Sequence, residues 1–133
     1  MVKVVRLLIL IFQVSLKDGG LGNVIILQTV LEEVRHRSTP LYKRLKDIMM
    51  DSKRHFFVFI NEHHKDTYIE RNAGESVNDR NDRAIRVATK WYQKHLEQFD
   101  VGVILITDDR DNRQKASEIV NTCTIKEYVE GTG

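Results

Sequence analysis

Asn23-Val24-Ile25-Ile26-Leu27-Gln28-Thr29-Val30-Leu31-Glu32-Glu33-Val34 carries two patterns back to back. Val24 to Leu27 is a short, mostly β-branched apolar run, which reads as a buried strand. Thr29-Val30-Leu31-Glu32 has the T-x-x-E form of a capping box and predicts a helix starting at Thr29.

Downstream the alternation continues. In Ser38-Thr39-Pro40, Thr39 can cap a second helix, with Pro40 at the first helical position, where a missing N–H costs nothing. Leu41, Leu45 and Ile48 or Met49 give that helix its apolar stripe. Phe56 to Ile60 is aromatic and β-branched, hence a strand. Residues 61–80 are polar and read as a connection with room for one helical turn. Ile85, Ala88, Tyr92 and Leu96, flanked by Ala84 and Trp91, predict a long helix from about Asp82 to Leu96. Val101 to Thr107 is a further strand that stops at Asp108-Asp109. Residues 112–120 read as a short helix, Thr122 to Ile125 as a last strand and Lys126 to Val129 as a terminal turn.

Upstream, Asp18-Gly19-Gly20-Leu21-Gly22 is a turn region. Before it, Leu7 to Phe12 is an apolar run of six residues, far short of the roughly 20 that a membrane span needs. Lys3, Arg6 and this run have the outline of a signal peptide, but no small-x-small cleavage site follows. A buried central strand is the better reading. Strands alternating with helices imply an α/β fold in three layers, a mostly parallel sheet flanked by helices.

The 133 residues hold 21 Lys and Arg against 19 Asp and Glu, with 41% hydrophobic and 30% charged residues. That length fits one domain with a real core, which excludes a large multidomain enzyme. The composition excludes a disordered chain, and the net charge of +2 argues against a strongly basic, nonspecific nucleic-acid binder. Cys123 is the single cysteine, so no disulfide partner and no multi-cysteine zinc site is expected. A lone cysteine fits a reducing intracellular compartment. The five histidines have no zinc spacing, and no phosphate-binding glycine loop or catalytic triad spacing is present.

In an open α/β sheet, ligands gather beyond the carboxyl ends of the strands. Asp108 and Asp109 end a strand there, Glu32 and Glu33 open the helix after another, and Asp79 and Asp82 lie near the start of the long helix. Clustered carboxylates repel one another, and a hard divalent cation relieves that repulsion. The same acids are equally ordinary as helix caps and dipole partners. Arg80, Arg83 and Arg86 with Arg35 and Arg37 form either a phosphate-facing patch or a solvated, internally paired face. Arg110 and Arg113 have the same two readings.

Longer motifs narrow this. Asn23 to Leu45, Asn61-Glu62-His63-His64-Lys65-Asp66-Thr67-Tyr68, and Gly74 to Arg86 followed by Lys90-Trp91-Tyr92 all resemble one family. Ile106 to Arg110 and Lys126 to Val129 extend the likeness, which covers residues 21–130. It is the PIN domain of the catalytic ribonuclease subunit of the eukaryotic RNA exosome. Residues 1–133 then form a single PIN-like domain, with residues 1–20 divergent.

The resemblance implies a metal-dependent endoribonuclease acting on single-stranded RNA and docked on exosome core subunits. Its compartment is the nucleus, with the nucleolus and cytoplasm as further sites, and no membrane is involved. Carried over by motif, Glu33, Asp82 and Asp109 correspond to three of the family's four acids. They hold one or two Mn²⁺ or Mg²⁺ ions, whose bound water attacks the phosphorus. Arg80, Arg83 and Arg110 steer the RNA backbone by position. The family's fourth acid lies in an Asp-Thr-Asn triplet that ends its first strand. Here the equivalent stretch, near Val5 and Arg6, has none, and the first acid in the chain is Asp18. The resemblance therefore implies either a weakened nuclease or an inactive module that only docks on the exosome core.

Overall fold

A computed structural model describes residues 9–13 as backbone, and residues 24–51, 56–99, 102–124 and 126–127 in full. The expected turn at Asp18 to Gly22 and the end of the expected terminal turn at Tyr128 and Val129 lie outside these residues. The strands are β1 (Ile9–Gln13), β2 (Val24–Leu27), β3 (Phe56–Phe59), β4 (Gly102–Ile106) and β5 (Asn121–Cys123). The helices are α1 (Gln28–Arg37), α2 (Thr39–Met50), α3 (Val77–Leu96) and α4 (Arg110–Ala116), with a 3₁₀ turn at Asn61–His63.

The sheet order is β3-β2-β1-β4-β5. β2 pairs parallel with β3, and β4 parallel with β5. β1 lies between these pairs and runs antiparallel to both, with Leu10 opposite Ile25 and Ile9 opposite Ile106. The other four strands thus share one direction, so the mostly parallel sheet expected from the sequence is present. Each parallel step needs a long crossover, and the helices supply it. α1 and α2 pack near β2 and β3, while α3 and α4 pack near β4 and β5.

The core is the meeting of these apolar runs. Ile26, Leu27, Val30, Val34, Ile85, Ala88, Val103, Leu105 and Ala116 are all buried. Burying a Leu or Ile side chain contributes about 1.5–3 kcal/mol. Within α3, Ile85 and Ala88 are fully buried, while Tyr92 and Leu96 continue the stripe at its margin. Burial pushes the Tyr92 hydroxyl up to about 12. In α2, Leu45 is buried and Leu41 and Met49 pack beside it.

Element ends depart from the expected ones for identifiable reasons. α3 begins at Val77, five residues before Asp82, because Ser76 caps it and accepts from the Asp79 N–H at 3.0 Å. α2 is capped by Ser38 rather than Thr39, through the Leu41 N–H at 3.3 Å, and Pro40 sits one position further in. α4 starts at Arg110 because Asp109 caps it. α1 starts at Gln28, and Thr29 lies inside it rather than capping it. The cap of α1 comes from elsewhere in the chain.

Candidate functional site

The strand order reverses about β1, so the crevice for a ligand lies beyond the carboxyl ends of β2 and β4. After β3, the chain returns to this edge through Asn61 and Glu62. Asn61 is fully buried, and its Oδ1 accepts from the Thr29 N–H at 3.2 Å while its Nδ2 donates to Thr29 Oγ1 at 2.7 Å. Gln28 Oε1 accepts from the Glu62 N–H at 3.2 Å. The free amide end of α1 is therefore satisfied across a distance of more than thirty residues in sequence, which is why the local capping box is not used.

Thr29 also donates its hydroxyl to Glu62. Arg80, one turn into α3, forms a fork on the same carboxylate, with Nη1 and Nη2 each 2.6 Å from a Glu62 oxygen. Arg80 Nη2 donates further to the Ile69 carbonyl at 2.7 Å. Burial alone raises the Glu62 pKa, but hydrogen bonds from Arg80 and Thr29 outweigh it and hold the carboxyl below its ordinary range. The same fork raises Arg80. Arg83 repeats the arrangement on Glu75, at 2.9 and 2.8 Å, and holds that carboxyl down to about 2. Glu75 in turn accepts from the Asn72 N–H at 2.9 Å, across a turn in which Gly74 takes φ 77°.

Asp109 is a buried residue at the carboxyl end of β4. Its Oδ1 accepts from the N–H groups of Asp111 and Asn112, at 3.1 and 3.3 Å. Arg86 of α3 donates to Asn112 Oδ1 at 2.7 Å and ties α3 to the same cap. Asp108 is exposed. Glu33 stands one turn after Thr29 on α1 and lines an open cavity of about 570 Å³ between α1, the 61–71 connection and the start of α3. Asp82 lies in the second turn of α3, outside the lining of that cavity.

These positions bear on a divalent cation. Glu33, Asp82 and Asp109 have the hard oxygen chemistry that Mg²⁺ or Mn²⁺ takes. Among the described residues, however, no three His, Cys, Asp or Glu side chains are gathered so that they would hold a metal ion. The direction of β1 bears on the same edge. β1 is antiparallel, so its amino end, Ile9, lies at the β4 carboxyl edge, and its carboxyl end, Gln13, lies opposite Gly102 at the far edge. A strand running this way brings no residue from its carboxyl end to the crevice.

The profile of the PIN domain matches residues 9–123. The chain belongs to the PIN domain family. It is 51% identical over 128 residues to "Exosome complex exonuclease RRP44" of Mus musculus, covering 92% of this chain and 13% of that protein. It is 45% identical over 109 residues to "Exosome complex exonuclease dis3" of Schizosaccharomyces pombe, covering 81% of this chain and 11% of that protein. The chain thus spans about an eighth of the relatives it matches. Among solved structures it is similar to the PIN domain of RRP44 from T. brucei, with a TM-score of 0.71 and 28% identity. That match covers 80% of this chain and 64% of the other.

In this PIN domain the three arginines singled out from the sequence differ in use. Arg80 and Arg83 are committed to Glu62 and Glu75. Arg110 is exposed, has no hydrogen-bond or ion-pair partner among the described residues, and lines a shallow recess of about 270 Å³ with Arg113 and Thr122. Sequence reasoning passed over Glu62, Asn61 and Tyr68. The signal for the first two was available: Asn61-Glu62 follows an apolar strand just as Asp108-Asp109 does. Among the described residues no helix is long and apolar enough to cross a membrane.

Proposed function

We propose that residues 1–133 form a single PIN module of an exosome-type catalytic subunit. It handles single-stranded RNA, docks on exosome core subunits, and works in the nucleus, with the nucleolus and cytoplasm as further compartments. Its metal-dependent endoribonuclease activity is weak. The observation that carries this reading is that the stretch near Val5 and Arg6 holds no acid, in a chain 51% identical over 128 residues to the Mus musculus relative. Glu33, Asp82 and Asp109 are the residues left to the acidic site, with Mn²⁺ or Mg²⁺ as the cofactor the family implies. An error of about 1 Å in such a site costs on the order of 100-fold in rate.

The test is incubation of the purified chain with an unstructured, end-labelled RNA in Mn²⁺. Internal cleavage close to background is expected. Replacing residues 1–13 by a family-type strand that ends in Asp-Thr-Asn should raise it. Strong cleavage by the unmodified chain, abolished by Asp109→Asn, would overturn the weak-nuclease reading. A second reading, a docking module with no catalysis, is favoured by the same lack of an acid near Val5 and Arg6. Exosome core binding with no cleavage from the grafted chain would select it.

A further inference from the structure

The shallow recess beside α4 has a lining of one kind. Arg110, Arg113, Gln114 and Ser117 follow the i, i+3, i+4, i+7 spacing of a single helical stripe, and Thr122 of β5 closes the recess from the sheet. The other side of α4 is shut, since Asn112 and Ala116 are buried. The lining holds two guanidiniums and an amide, and no carboxylate. The acids of the segment fall elsewhere: Asp111 is paired with Lys115 at 3.1 Å, and Glu118 lies outside the lining. Arg113 is held in place by the Thr107 carbonyl, to which its Nη1 donates at 2.9 Å. That bond uses one N–H of a guanidinium that carries several. The nearby Glu127 carboxyl is lowered first by hydrogen bonding to Thr124 and least by the Arg113 charge, and it does not line the recess. Both arginines therefore keep donors to offer. The recess also begins beside an acid: the Arg113 N–H donates to the Asp109 carbonyl at 2.9 Å, and four residues of helix span about 6 Å.

We propose that this recess holds one backbone phosphodiester of single-stranded RNA, gripped by Arg110 and Arg113 with the Gln114 amide beside them, and guides the strand along α4 away from Asp109. The proposal rests on the reading of the chain as an RNA-handling module. A guanidinium offers donors only, in a fork that matches phosphate oxygens, so the fitting partner is an anion rich in acceptors. No aromatic ring lines the recess, so it supplies no surface on which a base stacks. The contact is therefore indifferent to sequence and positions the strand rather than reading it. A phosphate here is a near neighbour of one lying at Asp109, so the recess fixes the path of the backbone across the acidic edge.

The test uses the full chain in EDTA, so that no cleavage intervenes, and reads the anisotropy of labelled oligouridylate and oligoadenylate. Salt is varied between about 50 and 200 mM, because each phosphate contact adds about 0.7 to the logarithmic salt slope of a single strand. Arg110→Gln should weaken both oligomers about fivefold at the low-salt end, the upper range for an exposed ion pair, and lower the slope by about 0.7. Arg110→Lys should restore the slope. Arg113→Gln should act in the same direction, with a thermal melt to confirm that the fold persists without the Thr107 bond. Lys115→Gln removes the same charge from the same helix but off the stripe, and should change affinity less than twofold. Equal losses from Lys115→Gln and Arg110→Gln would mean diffuse attraction and refute the recess. An unchanged slope with Arg110→Gln, or a loss confined to one of the two oligomers, also refutes it while the RNA-module reading stands. If neither oligomer binds, both readings fall.

Discussion

Two strands deliver an acid to the same edge of the sheet, and the two acids meet different fates. After β3, Glu62 is taken by a side-chain cation from another helix, with further bonds to α1. After β4, Asp109 is taken by the backbone of the helix that follows it. The first arrangement joins three elements distant in sequence, and the second is local to a few residues. A long-range ion pair desolvated on both sides is costly to break singly, because the surviving charge stays behind. A helix cap is modest and is replaced by any short side chain with an acceptor.

The contrast fails if Glu62 can be removed cheaply. Glu62→Ala should lower stability by about 3 kcal/mol in chemical denaturation, since Arg80 keeps only 13% of its side chain exposed. Replacing Glu62 and Arg80 together by Leu should cost less than Glu62→Ala alone, and a double-mutant cycle checks this. A smaller change is expected after β4, where Asp109→Ala should cost about 1 kcal/mol, read as a shift of the denaturation midpoint. Asp109→Asn should then be nearly neutral for stability, within a few tenths of a kcal/mol, because Asn caps as well as Asp. A large loss with Asn would mean that the charge, rather than the cap, matters.

Acid titration sharpens the comparison further. The Glu75 carboxyl is held near 2 against an ordinary value of 4.5. A lowered folded value means that its pairing with Arg83 contributes fully above about 4.5 and is lost as pH falls through about 2. Glu62 is displaced in the same direction. Stability of the native chain should therefore fall across this window. Glu75→Gln should flatten the fall by as much as the substitution costs at neutral pH. A denaturation series from pH 6 to pH 2 gives the answer.

Much of the architecture was legible because it is written in short-range patterns. Val24 to Leu27, Phe56 to Phe59 and Gly102 to Ile106 are strands where apolar runs stand between polar segments, and the Ile85, Ala88, Tyr92 spacing placed α3. Hydrophobicity has no direction, however. The apolar run through Ile9 to Phe12 reads equally well up or down the sheet, so its antiparallel insertion was not foreseeable. The start of α3 was missed because Ser76-Val77-Asn78-Asp79 contains no apolar stripe to advertise its cap. The Thr29 capping box was a sound local signal overridden by tertiary structure, since Asn61 supplies the acceptor. For the site, type and position raised Glu32, Glu33, Asp79, Asp82, Asp108 and Asp109 as candidates, and the resemblance chose among them. What the sequence could not supply is their mutual arrangement, because that depends on which carboxylates are already engaged by Arg80, Arg83 and backbone amides.

The place of β1 has a mechanical consequence. β2 and β3 form one parallel pair, β4 and β5 another, and the described strands of the two pairs meet only through β1. The sheet is therefore two ribbons laced together by a single antiparallel seam from the start of the chain. Opening that seam exposes an inner edge on each ribbon at once, so amide protons of β2 and of β4 should exchange in a single coupled event. Ile9–Gln13 thereby joins the two halves of the sheet that flank the crevice.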